Sequence, residues 1–278
     1  MKKIKKNFLS LFLKILVYLS ALVTIAVLFS IVGYILIKGV PVLNLRLFEW
    51  EYNSDNVSMM PAIINTVIMT IVSLLIAVPI GVFSAIYLVE YAKRGNKFVS
   101  LVRITTETLS GIPSIVYGLF GALIFVEYFH MGKSILAGAL TMSIMILPIV
   151  MRTTEEALIS VPDSFREGSF GLGAGKLRTV FKVVLPFALP GVLSGVILSI
   201  GRIVGETAAL IYTAGTVTGI PDNLLSSGRT LSIHMYALWN EGINAEEAYA
   251  TAVILLVVVI IINTISARLA GKLSKKGI

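Results

Sequence analysis

Six long apolar segments constrain the fold of this chain more than any other feature. Each can cross a bilayer as a helix, because a hydrocarbon core of about 30 Å takes about 20 apolar residues. The 278 residues are 56% hydrophobic and only 14% charged, whereas soluble domains carry about 25% charged residues. We therefore predict an all-α, multi-pass membrane protein with six transmembrane helices, at about 11–37, 62–89, 109–126, 134–151, 187–212 and 248–265.

The positive charges predict the orientation of these helices. With a cytoplasmic N-terminus, 18 of the 23 Lys and Arg residues lie on the cytoplasmic side and four on the opposite side. Because Lys and Arg concentrate in the cytoplasmic loops of membrane proteins, we expect both termini in the cytoplasm. The first apolar run is too long for a signal peptide and has no cleavage site after it, so we expect an uncleaved helix.

The same pattern divides the chain into three parts. Residues 1–61 form the N-terminal tail, the first helix and an external loop. Residues 62–270 form a transmembrane core of five helices, interrupted by a cytoplasmic loop at about 152–182. Residues 271–278 form a basic cytoplasmic tail.

No set of side chains with the pattern of an enzymatic or metal site can be recognised in the sequence. The string Gly171–Lys176 departs from a phosphate-binding loop at its first glycine and at the Ser or Thr that should follow the lysine. The two histidines, His130 and His234, lack metal-ligand spacing, and the chain has no cysteine. We therefore expect neither an enzymatic site nor a bound cofactor in this chain.

The cytoplasmic loop before the fifth span carries the signals of a short helix. Ser164 and Glu167 have the spacing of a capping box, and Pro162 stops any preceding helix. The glycines at 171, 173 and 175 are expected to end the short helix and turn the chain. A short, rigid helix of this kind suits docking into a groove on a partner. The alternative is a solvated connector between two spans.

The fifth span contains the only Lys or Arg that falls inside a predicted span beyond the N-terminal Lys14. Arg202 and Glu206 are four residues apart, so a continuous helix would place them on one face, where they can pair. Charged groups inside a bilayer are costly, and each is therefore a functional candidate. A guanidinium can bind a tetrahedral oxyanion through two parallel hydrogen bonds. The alternative is an ion pair that only fixes helix packing.

Small residues collect on the same predicted face of the fifth span. Gly191 and Gly195, and again Gly201 and Gly205, form G-x-x-x-G pairs, which allow another helix to approach closely. Branched apolar residues occupy the opposite face. We expect the small and polar face to meet protein or a water-filled path.

The cytoplasmic loop resembles the coupling loop of the membrane subunits of ABC importers. That loop has the pattern E-A-A, three residues, G, nine residues, I-x-L-P. Its spacing is kept here, with substitutions at three positions, by Glu167, Gly168, Ser169, Gly173, Val183, Leu185 and Pro186. In that family the loop docks into a cleft on a separate ATPase subunit. The resemblance implies the same role for residues 167–173.

A second resemblance is to the permeases of phosphate-specific (Pst) ABC importers. The string Gly201-Arg-Ile-Val-Gly-Glu-Thr207 is similar to their G-R-x-x-G-E-T segment, and the segment 109–121 is similar as well. The chain looks more like the PstA than the PstC permeases, although Ala209 stands where PstA often has Pro. The resemblance implies a type I, MetI-like permease fold. It also places four residues on the phosphate path: Arg202, Gly205, Glu206 and Thr207.

The resemblance implies a set of partners. A permease of this kind would work with a second, PstC-like permease, two copies of a PstB-like ATPase and an extracytoplasmic, PstS-like phosphate-binding protein. ATP and Mg²⁺ would bind to the ATPase subunits, and nucleic acid would have no role. The long outer segment 213–247 would receive the binding protein, with Tyr236 and Trp239 at the headgroup boundary.

Three alternatives remain open from the sequence. The chain could be the sister permease, or a permease for another oxyanion such as sulfate or molybdate. It could be a stand-alone secondary transporter or channel, although it lacks the internal repeat common in such proteins and carries a docking-type loop. It could also be a membrane anchor without transport, which the intramembrane charges argue against.

Overall fold

The computed structural model describes residues 2–93, 95–242 and 244–276. Secondary structure in these ranges is helical throughout, which confirms the all-α prediction. The helices are α1 (Lys2–Gly39), α2 (Met60–Ile86), α3 (Lys97–Ser110), α4 (Ser114–Gly121), α5 (Ile135–Ile159), α6 (Asp163–Gly171), α7 (Lys176–Thr179), α8 (Leu185–Val204), α9 (Ala208–Thr213), α10 (Leu231–Glu241) and α11 (Ala245–Lys276). Short π-helical stretches follow α2 (Tyr87–Tyr91) and α4 (Ala122–Tyr128) and precede α8 (Val180–Val184).

Five helical segments in the described ranges are long and apolar enough to cross a membrane. They are Ser10–Val42, Met60–Tyr91, Ile135–Ile159, Lys176–Val204 and Ala245–Arg268. A sixth crossing is obtained when Lys97–Ser110 and Ser114–Tyr128, which are bent by 104° at a short break, count as one span. The predicted third span at 109–126 is therefore wrong in its bounds, because it runs across this bend. Pro113 explains the break, since proline disfavours helix in the residue before it.

Helix α5 is longer than predicted. It continues eight residues past the expected end at Met151, so the first part of the predicted cytoplasmic loop at 152–182 is helical. Arg152 and Glu156 pair along this extension, with 3.1 Å between Nε and Oε1. Charged residues four apart support a helix that leaves the apolar layer.

The packing of α2 against α5 forms the centre of the molecule. Gly81 of α2 is needed there, because a Cβ atom at this position would lie 2.8 Å from a methyl carbon of Val150. The main cluster of buried apolar side chains includes Met69 of α2, Met142 and Ile146 of α5, and Leu210 of α9. Helix α9 is therefore part of the core, although it has only six residues.

Helix α1 and helix α10 lie at the edge of this core. The side chains from Ser10 to Ile31 of α1 are exposed, and α1 meets α11 through the edge-to-face rings of Tyr34 and Tyr249. Helix α10 lies within the segment 213–247. Its residues Tyr236 and Trp239 are exposed, as an interfacial position requires.

Candidate functional site

The fifth span breaks where the sequence predicted a continuous helix. Helix α8 ends at Val204, and Gly205, Glu206 and Thr207 connect it to α9. The predicted pairing of Arg202 with Glu206 on one helical face is therefore wrong. In the described residues, Arg202 makes no ion pair.

Two hydrogen bonds stabilise the break between α8 and α9. The backbone N–H of Ala209 donates to Oε1 of Glu206 at 3.1 Å, which places the carboxylate at the start of α9. The hydroxyl of Ser232, on α10, donates to the backbone carbonyl of Glu206 at 2.6 Å. A side chain from another helix thus replaces the helical hydrogen bond that this carbonyl would otherwise accept. Glu206 is engaged with the backbone rather than with Arg202.

Helix α4 supports the break from the other side. A Cβ atom at Gly118 would lie 2.7 Å from the Cα atom of Ala209, so the two backbones are in direct contact. The hydroxyl of Tyr117 donates to the carbonyl of Leu109 at 2.7 Å, which ties α4 to α3 across their bend. The bend between α3 and α4 and the break between α8 and α9 are therefore neighbours.

The small and polar face predicted for the fifth span is divided between two environments. Gly191 and Gly195 pack on α5, where added Cβ atoms would collide with Ala157 and Thr153. Gly201 has nothing within 4 Å of such an atom. The prediction that small residues allow a close helix contact therefore holds for the N-terminal half of α8 and not for Gly201.

An exposed stripe runs along α8 towards the break. Its members recur at helical spacing and are Ser194, Leu198, Arg202 and Gly205. Leu198 also borders a cavity of about 630 Å³, in whose wall the Arg103–Glu155 ion pair lies. Arg202 stands in the last turn of α8, where a cation interacts favourably with the helix dipole. Irregular backbone at membrane depth is tolerated where it is buried in protein or lines a water-filled cavity. The stripe therefore places the exposed Arg202 next to the break.

The cytoplasmic loop forms the short helix that the sequence predicted, with a different start. Helix α6 begins at Asp163 after Pro162, and no side chain caps it. The capping box of Ser164 with Glu167 is therefore wrong, because Asp163 is already helical and Ser164 lies inside the first turn. Glu167 and Gly168 are exposed on this helix.

The end of α6 is built by the predicted glycine turn. Gly173 has a φ of +82°, a left-handed conformation that favours glycine. The N–H of Gly173 donates to the carbonyl of Phe170 at 2.9 Å, and the N–H of Ala174 donates to that of Ser169 at 3.1 Å. This pair of bonds is a Schellman motif. Beyond it, Leu172 is 91% exposed at the tip of the loop.

Arg166 fixes α6 to the membrane helices, a role that sequence reasoning missed. Its Nε and Nη2 atoms donate to Oε1 of Glu90 at 3.1 and 2.7 Å. Its Nη2 atom also donates to the carbonyl of Leu158, near the end of α5, at 2.9 Å, and its Nη1 atom donates to the carbonyl of Val161, in the turn after α5, at 2.7 Å. A fifth bond joins Nη1 to Asp163 at 3.2 Å. All five guanidinium N–H groups are thus used. No local pattern reveals this junction, because Glu90 lies 76 residues away.

The remaining residues of the predicted coupling pattern surround α6. Ser169 and Thr179 share a hydrogen bond of 2.8 Å between their hydroxyls. Val183 lies in the π-helical stretch before α8, and Leu185 and Pro186 begin α8 itself. The pattern therefore spans one structural unit, in which α6 leads through α7 directly into the helix that carries Arg202.

Comparison with known proteins identifies the family. A family described as "Binding-protein-dependent transport system inner membrane component" matches residues 77–276. The chain is 32% identical over 275 residues to the probable ABC transporter permease protein YqgI of Bacillus subtilis, covering 93% of both chains. It is 33% identical over 259 residues to the phosphate transport system permease protein PstA 2 of Mycobacterium tuberculosis, covering 92% of this chain and 85% of that protein.

Solved structures show the same fold. An inward-facing structure of the MetNI methionine ABC transporter matches with a TM-score of 0.61 and 21% identity, over 77% of this chain and 93% of that one. A bacterial alginate ABC transporter matches with a TM-score of 0.67 and 16% identity, over 94% and 95%. These neighbours confirm the predicted ABC importer permease fold. The chain belongs to the family of inner membrane components of binding-protein-dependent transport systems, and it is a multi-pass permease subunit of an ABC importer.

Proposed function

We propose that this chain is the permease subunit of an ATP-driven importer that moves inorganic phosphate into the cytoplasm. The similarity to PstA permeases supports phosphate as the substrate. The observation that carries the proposal is the exposed Arg202, which stands beside a broken membrane helix and makes no ion pair in the described residues. A planar guanidinium in this position can bind two oxygens of a phosphate ion.

The residues around the break have distinct roles in this proposal. Arg202 contacts the anion, Gly205 leaves the path open beside it, and Thr207 adds a polar side chain. Glu206 acts indirectly, because its carboxylate and carbonyl hold the break in place through Ala209 and Ser232. Movement of α10 relative to α8 would release this carbonyl and change the shape of the path.

The segment 163–186, which we call the cytoplasmic unit, would couple this path to ATP hydrolysis on another subunit. Phe170, Leu172 and Leu177 expose apolar surface around the end of α6, which suits a cleft on an ATPase. ATP and Mg²⁺ belong to that partner, and this chain has no ATPase site of its own. Through Arg166, a displacement of α6 is passed to the ends of α2 and α5.

The complete importer also requires a second permease and an extracytoplasmic phosphate-binding protein. The binding protein would dock on the outer segment 213–247. This arrangement puts both termini in the cytoplasm, which agrees with the orientation that the distribution of Lys and Arg favours.

Uptake of radiolabelled phosphate by proteoliposomes that contain the purified complex tests the role of Arg202. We expect Arg202→Gln to lower uptake at least tenfold while the complex still assembles. Arg202→Lys should also fail, because an ammonium group cannot reproduce the planar fork. Arg46→Gln, at another exposed arginine, is the matched control and should transport normally.

Competition separates phosphate from other oxyanions. Unlabelled phosphate should inhibit uptake strongly, whereas sulfate and molybdate should not. Normal uptake by Arg202→Gln would contradict the proposed anion contact. Uptake of labelled sulfate or molybdate in place of phosphate would agree with the proposed path but contradict phosphate as the substrate.

A further inference from the structure

A second arginine is enclosed on the outer side of the molecule. Arg229 lies just before α10 and is 3% exposed. Its Nε and Nη2 atoms are buried and have no hydrogen-bond partner in the described residues. No carboxylate of the described residues lies within ion-pair distance of it. This arginine therefore carries a charge for which the described chain supplies no counter-ion.

Two aromatic side chains complete the surroundings of Arg229. The ring of Tyr52 stacks on the guanidinium at 4.7 Å and meets the ring of His234 edge to face at 6.1 Å. His234 is fully buried, and both of its ring nitrogens lack a hydrogen bond of normal geometry in the described residues. Burial, and then the charge of Arg229, lower the pKa of His234 to about 3. The histidine is therefore neutral at physiological pH and offers one N–H donor.

The backbone around these side chains is held in a strained form. Val57, which lies beside His234, has a φ of +46°. This conformation is rare for a β-branched residue. Strain of this kind persists only where the surrounding structure enforces it. The loop that carries Tyr52 and Val57 is therefore held in a defined position over Arg229.

An enclosed guanidinium without an acceptor is costly. Arginine cannot release its proton at any relevant pH, and a buried charge must be paired or hydrogen-bonded to be tolerated. Tyr52 stacks on the face of the guanidinium and leaves its N–H edge available. The start of α10 adds the partial positive charge of a helix N-terminus. The unpartnered N–H groups of Arg229 and the helix N-terminus both favour an anion.

We infer that Arg229 and His234 form a binding site for a small monovalent inorganic anion, such as chloride or dihydrogen phosphate, at the N-terminus of α10. One positive charge and a neutral histidine match a single negative charge. The backbone next to this site is tightly packed: a Cβ atom at the adjacent Gly228 would lie 2.9 Å from Nδ2 of Asn65. The hydrogen bond from Ser232 of the same helix to Glu206 links this site to the break in the fifth span.

The experiment measures thermal unfolding of the purified complex against anion concentration. The protein is exchanged into sodium gluconate and titrated separately with chloride, bromide and phosphate. At 100 times the dissociation constant, a bound anion should lower the apparent unfolding constant about 100-fold. We expect Arg229→Gln to abolish this dependence and Arg229→Lys to weaken it at least tenfold. Arg46→Gln should keep it unchanged.

The three titrations identify the anion. A response to chloride and bromide alone assigns a halide, and a response to phosphate alone assigns dihydrogen phosphate. The phosphate titration is repeated with Arg202→Gln, which should retain the response if the anion binds at Arg229. An equal response in the native protein and Arg229→Gln would overturn the proposal, as would no response to any of the three anions.

A structure determined in bromide provides the second measurement and does not depend on how the variants fold. We expect an anomalous bromide peak within about 3.5 Å of the Arg229 guanidinium when a halide is the ligand. For phosphate, tetrahedral density should replace it. Water molecules alone in both conditions would overturn the proposal. Phosphate transport through Arg202 would stand in that case, because it is tested by uptake and not by anion-dependent stability.

Discussion

Two arginines of this chain, Arg202 and Arg166, are used in opposite ways. Arg202 is exposed at the end of α8 and makes no ion pair in the described residues. The side chain of Arg166 is only 14% exposed, and its five N–H groups all donate to Glu90, Asp163 and the carbonyls of Leu158 and Val161. The first guanidinium is available to a ligand, whereas the second joins three helical elements.

The difference shows how a permease can combine a polar path with a firm mechanical connection. The C-terminal end of α8 is irregular and exposed, and hydrogen bonds from α9 and α10 define its shape. At α6, Arg166 donates all five of its N–H groups to partners on or near α2, α5 and α6, so a displacement of α6 would also move the ends of α2 and α5. The four predictions below test this contrast.

The largest effect is expected when the buried ion pair between Arg166 and Glu90, which forms the junction at α6, is broken. Arg166→Gln leaves the carboxylate of Glu90, whose side chain is 8% exposed, buried without a partner. Loss of one member of a buried pair costs about 3–5 kcal/mol, so we expect a large fall in the melting temperature of the complex and in its yield. Arg152→Gln, in an exposed pair with Glu156, should change stability by about 0–1 kcal/mol. Equal effects would show that the junction is no stronger than a surface pair.

The next largest effect is a loss of stability expected in the N-terminal half of α8, for which the C-terminal half serves as the comparison. Gly195→Ala places a Cβ atom against Thr153, with 2.8 Å to the Cβ of that residue, and overpacking of this kind costs about 1–3 kcal/mol. Gly201→Ala meets nothing within 4 Å and should be neutral or slightly stabilising. Thermal unfolding of the two variants measures the difference. A larger loss of stability in Gly201→Ala than in Gly195→Ala would contradict the open space that we find around Gly201.

The turn after α6 should tolerate a larger side chain at Gly173 less well than one at Gly175. Gly173→Val forces a branched residue into a left-handed conformation, at a cost of about 1–2 kcal/mol, and should disrupt the turn that presents Leu172. Copurification of the ATPase subunit should fall, although the permease still inserts. Gly175→Val is the matched control, since Gly175 has a φ of −75° and open space around it. Normal ATPase retention in Gly173→Val would remove the docking role of this turn.

The smallest effect is expected from the protonation of His234, on α10. The pKa of His234 is lowered to about 3 in the folded state, against about 6.5 in an unfolded chain. Protonation therefore favours the unfolded state, and stability should fall as the pH drops below about 6.5, by about 1.4 kcal/mol at pH 5.5. His234→Gln should remove this dependence, whereas His130→Gln, at an exposed histidine, should keep it. Melting temperatures between pH 7.5 and 5.5 provide the measurement.

The sequence by itself determined the class of the protein and much of its local structure. Long apolar runs and few charges are sufficient for an all-α membrane protein, because a bilayer leaves few alternatives to apolar helices. The glycine at 173 predicted a helix end for a reason that is local: its left-handed φ suits glycine. The motif spacing of 167–186 and 201–207 indicated the family, and the comparisons confirmed it.

The tertiary structure decided the features that depend on residues far apart in the chain. Helical periodicity continues through Glu206 into Ala208–Thr213, so no local signal reveals the break. It exists because Ser232 of α10 takes up the carbonyl of Glu206 and because Gly118 of α4 lies against Ala209. The contacts of Arg166 with Glu90 and the enclosure of Arg229 arise in the same way. Apolar periodicity specifies which segments enter the membrane, whereas the partner of each polar group is set by packing between segments.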